Sequence, residues 1–121
     1  METVAEVWLS LVAVLHLYFL TLEMFLWKKP LGRKTFGLTR EMAEATATLA
    51  ANQGLYNGFL AAGLIWGIVL GPTGGFAVKL FFLVCVIVAG VFGAATVNRR
   101  ILWVQAFPAL IAAVLVWLAP H

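Results

Sequence analysis

LAANQGLYNGFLAAGLIWGIVL, residues 49–70, decides how the chain is read, because it is long enough to cross a bilayer yet carries Asn52, Gln53, Tyr56 and Asn57 in its first half. A helix crosses about 30 Å of hydrocarbon with roughly 20 apolar residues. Amides at that depth need partners that lipid cannot offer. The stretch is therefore either the wall of a polar site or a helix glued to its neighbours by hydrogen bonds.

Its surroundings settle the class. Of 121 residues, 64% are hydrophobic and 11% are charged, and the mean hydropathy is +1.02. Soluble domains carry about a quarter charged residues, so this chain has too few to coat a water-facing surface. Apolar stretches at about 4–27, 44–70, 76–97 and 101–118 are each near the length of a membrane span, and too long for barrel strands. The first begins with Glu2 and Glu6, with no basic segment before it, and reads as a retained helix rather than a cleaved signal. The expectation is an all-α membrane protein with four transmembrane helices in one antiparallel bundle, a single domain over 1–121.

The connections orient it. Lys28, Lys29, Arg33, Lys34 and Arg40 fall between the first two stretches, Arg99 and Arg100 between the last two, and GPTGG at 71–75 carries no charge. By the positive-inside rule both basic connections face the cytoplasm and both termini lie outside. This places the chain in the bacterial inner (cell) membrane as a multi-pass protein, with Trp27 and Trp103 at one interface and Trp8 and Trp117 at the other. The positive balance then reflects topology and contact with membrane lipids, and no nucleic-acid partner is implied. Cys85 has no second cysteine to pair with.

In the 28–40 connection, Pro30 and Gly32 end the first helix. Thr39 is placed to cap a second helix that starts near Arg40 and runs to 70, with Glu41 and Glu44 complementing its dipole. Asn98–Arg99–Arg100 turns the third helix straight into the fourth.

The polar residues then fall by depth and angle. His16 and Glu23, seven apart, lie within about 20° of one stripe, Glu23 about 6 Å and His16 about 16 Å below the level of Trp27. Asn52, Gln53, Tyr56 and Asn57 span an arc of roughly 140° on the second helix. Gln105 is one turn into the fourth, where Pro108 leaves the Val104 carbonyl without its usual donor. All converge on the cytoplasmic half. Outward, the Asn52–Tyr56 stripe continues as Gly63, Gly67 and Gly71, while Gly54 and Gly58 mark a second small-residue seam. The shape expected is a polar cleft open to the cytoplasm and sealed above.

In such a cleft Glu23 and His16 are the candidate catalytic acid/base pair. Asn52, Gln53, Tyr56, Asn57 and Gln105 are the candidate substrate-binding residues, for a small amphiphilic or lipid-derived molecule. The alternatives are an oligomeric transporter or channel subunit with a Glu/His proton or ion relay, and a structural partner in which the same residues only hold helices together. No HExxH motif and no second histidine within an apolar stretch accompanies His16, so no metal is assigned; no phosphate loop or dinucleotide fingerprint identifies a cofactor. Small-residue seams on two faces of one helix favour a homo-oligomer.

HLYFLTLEMFLW at 16–27, FGLTREMAEATATLAANQGLYNGFLAAGL at 36–64 and NRRILWVQAFPALIAA at 98–113 resemble a family of small bacterial four-helix integral membrane proteins, domain of unknown function 1304. The resemblance covers essentially the whole chain. It implies a four-helix membrane fold with no established activity. A looser likeness joins the chain to four-helix membrane glutathione transferases and eicosanoid synthases, which also set an Asn on the second helix beside a cytoplasm-facing site. Leu55 stands where they carry an acid, so that likeness is architectural.

Overall fold

The computed structural model describes residues 1–121, and every regular element in it is helical. These are α1 (Glu2–Met24), α2 (Pro30–Phe36), α3 (Arg40–Val69), α4 (Gly71–Gly74), α5 (Phe76–Thr96), a π-helical turn at Leu102–Ala106, and α6 (Phe107–Leu118). By length and composition α1 and α5 can each cross a membrane, and about three quarters of each span's apolar window lies outside the protein's own interior (28% and 22% buried). Val4, Val7, Leu11 and Val14 on α1, and Phe81, Val84, Val88 and Phe92 on α5, are exposed. The stretch Leu102–Leu118 is apolar but shorter. α3 is long enough, but its amides and first-turn acids keep it out of the same class.

Two elements depart from the sequence expectation. The connection at 28–40 contains α2, because Pro30 opens a helix instead of only ending one: its fixed φ suits the first helical position, where no N–H is needed. Lys29 before it is extended (φ −79°, ψ 159°), as a residue preceding proline prefers. α1 accordingly stops at Met24, three residues short of Trp27. α2 ends at Gly37, whose positive φ of 65° lets the N–H groups of Gly37 and Leu38 both reach the Arg33 carbonyl. The second departure is the π turn before Pro108, where the Phe107 N–H bonds the Leu102 carbonyl five residues back. Widening the helix by one residue accommodates the proline ring that an α-turn would reject. Thr39 behaves as expected: its Oγ1 accepts the Met42 N–H at 3.1 Å and caps α3.

The chain divides into two compact units, residues 1–14 with 60–121, and residues 15–59. In the larger unit Leu9, Val12, Leu64, Leu83, Val86, Ala109 and Ala112 form the core. Backbones approach closely through small residues. A Cβ on Gly63 would fall 2.3 Å from the Phe82 ring, one on Gly67 would fall 2.7 Å from Lys79 Cγ, and one on Gly90 would fall 2.6 Å from the Ala106 nitrogen. Such contacts hold the helices together by close van der Waals packing. Asn98 Oδ1 accepts the Arg100 N–H at 2.9 Å, making the tight turn that leads from α5 toward α6.

The smaller unit joins the second half of α1, α2 and the first two thirds of α3. Here Gly54 admits Met24 and Glu23, a Cβ on it coming 3.1 Å from Glu23 Cβ, and Gly58 admits Leu20. Trp27 tilts over Phe36 with ring centroids 4.7 Å apart, and its Nε1–H donates to Thr46 Oγ1 at 3.0 Å. These contacts tie α2 and the start of α3 to the end of α1.

Candidate polar site around Glu23

Glu23 is the buried acid of the smaller unit. It sits on the last turn of α1, is 4% exposed, and its Oε1 accepts a hydrogen bond from the Asn57 side-chain amide. The bond exists because Gly54, one turn earlier on α3, has no side chain to hold the helices apart. Burying a carboxylate beside a single amide is costly. His16 is fully buried, edge-on to Phe19 at 5.4 Å and 73°.

Seven residues separate Glu23 from His16, about 10 Å along the helix axis. The two are therefore not a directly bonded pair, and a proton passing between them needs a bridging group.

Asn57, 8% exposed, is the buried edge of the polar arc on α3. Around the helix from it, Gln53, Tyr56 and Asn52 are exposed, and Glu41, Glu44 and Thr48 continue the open face toward the start of α3. The arc thus has a closed side, which grips Glu23, and an open side, which no other residue of its own unit covers. Tyr56 lies near Phe59, ring centroids 6.1 Å apart. Gln105 belongs to the other unit, half-buried on the π turn.

Sequence reasoning passed over two features. The Trp27–Thr46 hydrogen bond depends on the turn after Met24, which the misplaced end of α1 hides. The other is Lys79, which is 5% exposed in the first turn of the apolar helix α5. A cation isolated in such a run is itself the signal that could have found it.

Residues 10–117 match the family described as "Protein of unknown function (DUF1304)". The chain belongs to that family. It is similar to the uncharacterized protein YpaA of Lactococcus lactis subsp. lactis (strain IL1403), with 30% identity over 113 residues, covering 91% of this chain and 94% of that protein. No solved structure matches. Family membership accounts for the segments that carry Glu23, the α3 arc and Gln105 together, since all fall inside the matched range.

Proposed function

We propose that the chain is an integral protein of the bacterial cell membrane whose four long helical stretches all cross, with both termini outside. In this reading it holds a small amphiphilic or lipid-derived molecule in a cytoplasm-facing polar site. The observation that carries it is the arc on α3: Asn57 buried against Glu23, with Gln53, Tyr56 and Asn52 beside it and open. Open amides on a helix of this apolar chain are costly against lipid, so they favour an occupant that hydrogen-bonds them. Contacts between consecutive long helices run in opposite senses, Leu20 to Gly58, Glu23 to Gly54, Gly63 to Phe82 and Gly67 to Lys79, which supports the antiparallel order. In such a site Glu23 and His16 are the acid and base, and Asn52, Gln53, Tyr56 and Asn57 hold a polar head.

The same openness favours a second reading, an oligomer in which Asn52 and Tyr56 of several copies face one another and line a relay. Native mass spectrometry of the protein released from membranes separates the two. The site reading expects a retained lipid-like mass that is lost in Asn52→Ala/Gln53→Ala and reduced in Glu23→Gln. A protein with no retained mass, whose Asn52→Cys variant forms disulfide-linked dimers on mild oxidation, sinks the site reading in favour of the oligomer.

A further inference from the structure

At the far end of the larger unit, Glu2 and Glu6 on α1, Pro72, Phe76 and Lys79 after the α3–α5 turn, and Ala119 beyond α6 line one small pocket. Its volume is about 10 Å³, room for one oxygen-sized group. Lys79 is buried along its stem, which runs over Gly67, where a Cβ would fall 2.7 Å from Lys79 Cγ. No hydrogen bond or ion pair within the chain holds its ammonium. The two carboxylates on the wall stay outside ion-pair distance, Glu2 exposed and Glu6 half-buried. Phe76 is fixed by the His121 ring stacked on it at 3.7 Å and 2°.

A lysine buried along its stem, whose ammonium opens into this pocket beside two more open acids, is complementary to a group that is negative at its tip and positive a few ångströms away. We propose that this pocket binds the headgroup of a phospholipid bearing a primary ammonium, a phosphoethanolamine lipid. One phosphate oxygen enters the pocket on Lys79, and the ammonium donates to Glu2 and Glu6. Anionic headgroups without an ammonium meet the two carboxylates and are disfavoured. A quaternary ammonium has no N–H to give them. Val4, Val7 and Val69 on the same unit are exposed and apolar, as contact with acyl chains requires. The inference rests on the membrane reading but not on any ligand at Glu23, so a chain that partitions into membranes and shows no headgroup preference fails here alone.

The test is native mass spectrometry of the full chain in detergent with phosphatidylethanolamine, phosphatidylcholine and phosphatidylglycerol of identical acyl chains at equal concentration. Retention of the ethanolamine lipid is expected to exceed each of the others by about tenfold, the size of one charge-assisted hydrogen bond. Glu2→Gln/Glu6→Gln, on the more open wall, lowers it to the choline level, Lys79→Met abolishes it, and Lys79→Arg restores it. Soluble phosphoethanolamine at the same concentration leaves the lipid in place. Equal retention of all three lipids, or unchanged retention in a folded Lys79→Met or Glu2→Gln/Glu6→Gln variant, overturns the proposal. Displacement by the soluble compound overturns its assignment to a lipid.

Discussion

Both halves of α3 offer a neighbouring helix two glycines four residues apart, and the two pairs do different work. In the 60–69 half, Gly63 and Gly67 receive the Phe82 ring and the stem of Lys79, and Leu64 beside them is fully buried. In the 40–59 half, Gly54 and Gly58 receive Met24, Glu23 and Leu20, and the residue flanking that seam is Asn57. Identical spacing yields an apolar joint in one place and a buried carboxylate–amide bond in the other. Close approach of helices is thus not only a seal. At Gly54 it is what brings Glu23 within reach of Asn57.

The comparison breaks first at Gly54. Gly54→Val adds atoms where a bare Cβ already comes 3.2 Å from the Leu20 carbonyl, which cannot swing aside. Overpacking of this kind costs about 3 kcal/mol, read as a lowered midpoint of thermal unfolding in detergent. Asn57→Leu comes next: it keeps the volume but leaves the Glu23 carboxylate buried without its donor. It is expected to cost about 2 kcal/mol, and Glu23→Gln, which keeps an acceptor for Asn57, less than half of that. A smaller loss than for Glu23→Gln would mean that the Asn57 bond does not hold this seam. Trp27→Phe removes the N–H given to Thr46 and part of the ring that tilts over Phe36, and should cost about 1 kcal/mol, checked by the same melt. Asn52→Ala sits at the bottom, within about 0.5 kcal/mol of the parent, because its side chain is open. A large destabilisation there would show that the open face of α3 is covered in the assembled protein.

How far the residues foretold this arrangement varies with the kind of signal. The ends of α3 were legible because Thr39 is a capping side chain followed by acids, and its close approaches because glycine spacing is a direct statement about approach. The all-helical character followed from run length. α2 escaped because proline has two opposite meanings, stop and start, and only the backbone after Trp27 decides between them. The π turn escaped for a related reason: Pro108 was read as sparing one carbonyl, while the chain instead absorbs it by widening. Within the polar set, angle located the arc on α3, but only the side-chain bond shows that Asn57 turns inward while Asn52, Gln53 and Tyr56 stay open. The assignment of His16 and Glu23 as acid and base rests on a shared stripe and on depths that already set the two about 10 Å apart.

The π turn at Leu102–Ala106 holds one residue more than an α-helix would need there. Loss of a single residue from this turn, together with replacement of Pro108, whose ring an α-turn would reject, lets it relax to α geometry while Ala109, Ala112 and Val116 keep their buried face. The same deletion farther along α6 rotates everything after it by about 100° and turns the core outward. The fourth helical stretch therefore carries one point of length tolerance, and it is tied to the proline that follows it.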